Sequence, residues 1–201
     1  CAVGRPTQFD KDEALDIAMI LFWKNGYEAT SVSVLAAAMG ITRSSFYNAY
    51  ESREKLFGLV LHRYKKEAPD GVLTEIKDGK PILPTLCAMF REICDLRSAD
   101  PDRKGCLVIN SVAELGKDAE APPFVRDLFS AMVDRFLRLV RQARDQGELA
   151  ADTDIQALAG ELAAFLAGIN LMSKVITDRQ QLWRTCRSFL VSHKLLVEED
   201  V

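Results

Sequence analysis

The sequence predicts an all-α protein, with an N-terminal helix-turn-helix domain of three helices and a larger C-terminal helical domain. Three observations predict it. Apolar residues recur at steps of three and four along most of the chain, with no convincing period-two strand. Turn-forming glycines and prolines, such as Gly26, Gly40, Pro69-Asp70-Gly71, Pro122-Pro123 and Gly147, punctuate those segments. Residues 31–50 hold a helix of about two turns, a glycine turn and a second short capped helix.

The first helix starts at Asp10, which can cap a free amide, with Glu13 three residues on to complete a capping box. Ala14, Ala18, Leu21 and Phe22 make its apolar face, and Gly26 supplies a left-handed stop. Thr30 or Ser31 caps a second helix bearing Val32, Leu35, Ala36 and Met39, which Gly40 ends. Thr42 caps the third, where Ile41 can pack on Phe46 as a hydrophobic staple. Ser52 caps a fourth, carrying Leu56, Phe57, Val60, Leu61 and Tyr64 up to Pro69-Asp70-Gly71. Further helices are expected at about 84–98, 106–116, 122–147, 153–177 and 179–197, with Asp100-Pro101, Pro122-Pro123 and Gly147 as punctuation. The predicted organisation is a helix-turn-helix domain at 1–52, a connecting helix and junction at 53–81, and a larger helical domain at 82–201.

Bulk composition narrows the function classes. With 201 residues, 48% of them hydrophobic and 27% charged, the chain can bury a substantial core. No apolar run approaches the roughly 20 residues that span a bilayer, and no signal-peptide pattern opens the chain, so a cytoplasmic protein without a membrane partner is expected. Cys1, Cys87, Cys94, Cys106 and Cys186 are odd in number and show no paired Cys-x-x-Cys spacing, and His62 and His193 lie far apart. Neither a disulfide framework nor a metal site is expected, and no cofactor motif is present. A Ser-His-Asp constellation, a phosphate-cradling glycine loop and a His-Glu-x-x-His pattern are also missing, which argues against an enzyme. The net charge of −3 taken alone disfavours nucleic acid, but charge is segregated. Residues 1–66 hold nine Lys/Arg against seven Asp/Glu, and the rest hold 17 against 22.

A helix-turn-helix places its second helix in the DNA major groove. At about 100° per residue, Phe46, Ala49 and Tyr50 project to one side of the third helix, and Arg43, Ser44, Tyr47 and Asn48 to the other. Arg can donate two hydrogen bonds to guanine, Ser makes a tolerant short contact, and Asn pairs bidentately with adenine. Tyr47 suits a phosphate. Thr30, Ser31 and Lys55 can grip the backbone on both flanks, and Arg5 can reach a minor groove. Taken in isolation, the same segment also reads as an ordinary helical hairpin with a solvated face, which would leave a protein-binding adaptor as the alternative.

The run from Asp10 to Leu56 resembles the N-terminal domain of the tetracycline-repressor (TetR) family, especially at Ala18, Phe22, Gly26-Tyr27, Thr30-Ser31, Ala36, Gly40-Ile41, Phe46-Tyr47-Asn48-Ala49-Tyr50 and Lys55-Leu56. The resemblance covers the first quarter to third of the chain. It departs from the family at Ala49, where His or Tyr is usual, and the departure bears on one possible phosphate contact. It implies a transcriptional regulator, a repressor by expectation, that binds double-stranded palindromic operator DNA as a homodimer. It also implies that the C-terminal helical domain binds a ligand and makes the dimer.

Leu158, Leu162, Phe165, Ile169, Met172 and Ile176 form one helix-packing seam, and Leu182, Cys186, Phe189, His193 and Leu196 form another. Either can face the domain's own core. The resemblance implies that the last two helices pair with their counterparts, giving Leu162, Phe165, Ile169, Met172, Cys186, Phe189 and His193 as expected interface residues. Cys106 opens a predicted helix just after Arg103-Lys104, and both features favour a thiolate; the alternative is a small buried residue. Gly105-Cys106, Asn110, Ser111 and Glu114 are similar to the subgroup that includes the electrophile-responsive repressor of the N-ethylmaleimide reductase operon, which implies Cys106 as a sensor of thiol-reactive signals. A small-molecule effector held by Phe90, Phe129, Phe136 and Phe165, with polar contacts from Asn110 and Glu114, is the other reading, and these phenyl rings can equally be core.

Overall fold

The computed structural model describes residues 10–74, 76, 79–117 and 122–197, and all regular structure among them is helical. Cys1 and Arg5 lie outside the described residues. Among the described residues nine α-helices follow in order: α1 (Lys11–Asn25), α2 (Val32–Ala38), α3 (Arg43–Tyr50), α4 (Arg53–Glu67), α5 (Ile82–Ser98), α6 (Leu107–Leu115), α7 (Pro123–Asp145), α8 (Ile155–Met172) and α9 (Arg179–Ser192), with a 3-10 segment at Pro69–Thr74 between α4 and α5. The chain divides into two compact units, residues 1–64 and 65–201, so α4 begins in the first and ends in the second.

Local chemistry sets the helix ends of the first unit. The Asp10 carboxylate accepts from the amides of Asp12 and Glu13 at 2.9 and 3.3 Å, and Gly26 closes α1 at φ 82°. Ser31 caps α2, Thr42 caps α3 by accepting from the Ser45 amide at 3.1 Å, and Ser52 accepts from the Lys55 amide at 3.0 Å. Each cap satisfies an amide that the first helical turn leaves without a partner. The unit's core is aromatic: Phe57 lies 4.8 Å from both Phe22 and Tyr27, and Trp23 meets Tyr64 edge-on. Arg63 of α4 clamps α1 through Asp12 and Asp16 at 3.2 and 3.0 Å.

In the second unit, α8 packs along α7, and α5 lies against α9. Phe90, Ile93, Cys94, Phe136, Leu162, Leu166, Leu182 and Cys186 belong to one continuous core. The α5 N-terminus is capped from a distance. Glu148, beyond the end of α7, accepts from the amides of Ile82 and Leu83 at 2.9 Å, placing a carboxylate at the positive end of the helix. The Arg135 guanidinium holds the 3-10 segment through Asp70 at 3.0 Å.

The expectation that no apolar run approaches the length that spans a bilayer needs one correction. Ile155–Met172 is long and apolar enough to cross a bilayer by length and composition. An apolar stretch of this kind also suits a core helix, and Leu158, Ala159, Leu162, Ala163, Leu166 and Ile169 of α8 are all buried in the unit's interior.

Candidate nucleic-acid interface and regulatory residues

The two faces of α3 are sharply unlike. Phe46 is fully buried and Tyr50 is buried beside it, their rings 5.4 Å apart, whereas Arg43, Ser44, Tyr47 and Asn48 are all exposed. Tyr47 stays 45% exposed although its ring packs edge-on against Phe46 at 5.7 Å, so the hydroxyl end faces outward. An exposed arc of guanidinium, hydroxyl, phenol and carboxamide on a rigidly seated helix can donate to and accept from base edges and phosphates. Ser31 is exposed at the start of α2, beside the first amides of that helix.

Thr30 is the exception among the expected backbone contacts. Its side chain is fully buried and its hydroxyl donates to the Gly26 carbonyl at 2.6 Å, so it shapes the α1–α2 turn and offers nothing to a phosphate. Arg53, which the sequence did not single out, completes that turn. Its guanidinium lies 4.0 Å from the Tyr27 ring centroid and donates to the carbonyls of Tyr27 and Thr30 at 3.1 and 3.4 Å. The Gly-Tyr turn followed three residues later by Thr was visible; its long-range partner, 26 positions away from Tyr27, was not. Lys55 is exposed and pairs with Glu51 one turn earlier.

The profile of the tetR family of bacterial regulatory proteins matches residues 14–60, and that of the tetracyclin repressor-like C-terminal domain matches residues 83–189, over half the chain. The chain belongs to the TetR family. This TetR-family protein is 31% identical to the HTH-type transcriptional repressor ComR of Escherichia coli, over 85% of this chain and 82% of the relative. It is 32% identical to the HTH-type transcriptional regulator YezE of Bacillus subtilis, over 90% and 94% of the two chains. Among solved structures, a cysteine mutant of the TetR family transcriptional regulator CifR, complexed with 26-bp double-strand operator DNA, superposes with a TM-score of 0.79 at 30% identity, over 94% of this chain and 99% of that one. The chain is a DNA-binding transcriptional regulator, and its relatives are regulators rather than enzymes.

In the regulatory unit of this TetR-family protein, Cys106 stands at the N-cap position of α6 and is 8% exposed, against 1% for Cys87 and 0% for Cys94 and Cys186. Gly105 before it adopts φ +66°, and a Cβ there would sit 3.1 Å from the Asn170 carbonyl and 3.2 Å from the Lys174 stem, so glycine lets the loop lie against the end of α8. Of the two cations expected to favour a thiolate, Lys104 is committed: its ammonium reaches Asp100 at 2.6 Å and Asp102 at 3.4 Å, and those carboxylates offset its field. Arg103 is exposed. Burial pushes the Asp100 carboxyl up, but hydrogen bonds from the Lys104 side chain and from the amides of Lys104 and Asp102 prevail and hold it below its ordinary value.

The ligand-pocket candidates occupy different settings, although the rings of Phe90 and Phe165 meet edge-on at 5.5 Å. Phe90 and Phe136 are fully buried core rings, and Phe136 borders an apolar cavity of about 10 Å³ with Leu86, Leu139 and Leu162, about the space of one water. Phe129 is half-buried and Glu114 exposed. The Asn110 carboxamide is spent on the Lys104 carbonyl at 2.7 Å and on Lys174 at 3.4 Å. The expected interface also divides. Leu162, Ile169 and Cys186 are buried within this chain's own core, which leaves them no surface to offer a second copy. Phe165 and Phe189 stack in parallel at 3.9 Å, His193 continues the stack at 4.2 Å, and these half-buried rings line an open groove with Gln181, Arg184 and Ser188. Met172 is half-buried, and Leu171 and Val175 beside it are 61% and 77% exposed.

Proposed function

We propose that this regulator is a repressor that binds a palindromic operator as a homodimer and leaves it on a small-molecule or thiol-reactive signal. The observation that carries the reading is α3, a capped two-turn helix with a buried aromatic face and an exposed face of Arg43, Ser44, Tyr47 and Asn48. Base edges are read by Arg43, Ser44 and Asn48, while Tyr47, Ser31, Lys55 and Arg5 hold phosphates or the neighbouring groove. The dimer forms through α8 and α9, on the Phe165–Phe189–His193 groove and the exposed apolar residues Leu171 and Val175. A two-fold protein then matches a two-fold site, with α3 and its copy about one DNA turn apart. Such a protein works in the cytoplasm, where the chromosome is.

The experiment is titration of the purified chain against labelled duplexes taken from the DNA flanking its own coding region, at several salt concentrations. Specific binding that falls steeply with salt supports the reading. Equal affinity for every duplex, or none, refutes it and favours the adaptor.

For the signal, Cys106 is the most accessible of the described thiols, and its place at the start of α6 supports it as the point where an electrophile attaches. It is expected to alkylate first, and its modification to lower operator affinity by a factor of roughly 30 to 150, the effect of ~2 to 3 kcal/mol of coupling. If Cys106 reacts no faster than Cys87, Cys94 and Cys186, or reacts without effect on affinity, a reversible ligand becomes the better account.

A further inference from the structure

We propose that Cys94 and Cys186 form a redox centre of the regulatory unit, a buried dithiol that a hydroperoxide converts into a disulfide pinning α9 to α5. The two sulfurs lie 3.6 Å apart, both side chains are fully buried, and they bridge helices whose cysteines are 92 positions apart in the chain. Cys87, one helical stretch earlier on α5, shows a structural thiol by contrast. It donates to the Leu195 carbonyl at 3.3 Å and accepts from the Val197 amide at 3.5 Å, so backbone groups occupy it. Cys94 and Cys186 are turned to each other.

A disulfide needs the sulfurs about 1.5 Å closer, which rotation about two side-chain bonds can supply when both helices already pack. The pair is also polarised. Either thiol can donate to the other; with Cys186 as donor and the Arg179 guanidinium nearby, the Cys94 thiol is lowered below its ordinary value against burial and the Asp95 carboxylate, which raise it, while Cys186 is pushed up. Arg179, in the first turn of α9, pairs with Asp95, the neighbour of Cys94, so its guanidinium is fixed at this edge of the α5–α9 contact with its field partly offset by that carboxylate.

That asymmetry assigns the order of steps. The Cys94 sulfur attacks the terminal oxygen of the hydroperoxide; the O–O bond breaks, the alkoxide or hydroxide leaves with the electron pair and takes a proton, and Cys94 becomes a sulfenic acid. The Cys186 sulfur then displaces the hydroxyl from Cys94; the S–S bond forms as the S–O bond breaks, and the Cys186 proton leaves with hydroxide as water. Two electrons lost by the thiol pair are those gained by the peroxide. Burial selects the oxidant: hydrogen peroxide is close to water in size and can enter through local opening, whereas a bulky thiol reagent is kept to Cys106.

The test uses the full chain and does not depend on DNA binding, so its outcome is separate from that of the proposed function. The reduced protein is treated with hydrogen peroxide, remaining thiols are alkylated after denaturation, and the unreduced digest is analysed by mass spectrometry. The expected product is a Cys94–Cys186 linked peptide with a mass loss of two hydrogens, reversed by dithiothreitol, and formed equally after N-ethylmaleimide treatment of the native protein and in Cys106→Ser. In Cys186→Ser, dimedone is expected to trap a sulfenic acid on Cys94. Oxidised wild type should melt at a higher temperature than reduced, a difference absent in Cys94→Ser. Cys94 and Cys186 both remaining free while Cys106 oxidises, or a disulfide that joins other cysteines or two chains, would overturn the proposal.

Discussion

Arg43 and Lys55 are both cations flanking the recognition surface, yet their surroundings differ. Arg43 is exposed at the first position of α3, and Lys55 is paired with Glu51. Arg43→Ala is expected to cost about 1 to 3 kcal/mol of specific binding and to relax discrimination at one base position, because a base-edge donor fork is lost. Lys55→Ala should weaken all sequences alike and flatten the slope of log affinity against log salt; equal loss of specificity from both would end this division of labour. Arg53 acts on the fold instead. Arg53→Ala should lower the stability of the first unit by about 1 to 3 kcal/mol in denaturant melts, with Arg53→Lys a poor replacement, since an ammonium cannot stack flat on Tyr27 while reaching both carbonyls. Asp100 ties down the Cys106 loop. Because its folded pKa lies below the ordinary carboxylate value, its stabilisation is complete above that value and is lost as pH falls through the lower, folded one. At neutral pH the loop is therefore held, and Asp100→Asn should raise the alkylation rate of Cys106; an unchanged rate would show that the Lys104–Asp100 contact does not control access.

At the scale of elements, the helices were legible because caps and periodicity are local. Asp10, Ser31, Thr42 and Ser52 announce the first four N-termini, and each accepts an amide as its chemistry requires. The C-terminal ends were less legible. The expected helices at 153–177 and 179–197 end at Met172 and Ser192, since apolar periodicity continues through Ile176 and Leu196 after the backbone has left the helix. Glu148 capping α5 had no local signal at all, and neither did the 3.6 Å approach of Cys94 to Cys186, because both join residues far apart in sequence. Thr30 shows the converse limit: a hydroxyl beside a helix start reads the same in sequence whether it faces a phosphate or, as here, the carbonyl of Gly26.

For the whole molecule, periodicity fixed the existence of an apolar seam on α8 and α9 but not its partner. Leu162, Ile169 and Cys186 serve the chain's own core, and the stacked rings of Phe165, Phe189 and His193 border the open groove. Phe189→Asp places a carboxylate in that groove and is expected to give helical monomers; sedimentation reports the mass, and circular dichroism shows that the fold survives. A native chain that sediments as a monomer at micromolar concentration would remove the case for a symmetric reader. The most direct test of the central claim is footprinting of the DNA flanking the chain's own coding region with wild type and Arg43→Ala. A symmetric reader should give one protected site with dyad symmetry, its half-sites centred about one helical turn or a multiple apart, and loss of protection in both halves for Arg43→Ala. Protection without symmetry, or a footprint unchanged by Arg43→Ala, would contradict that claim.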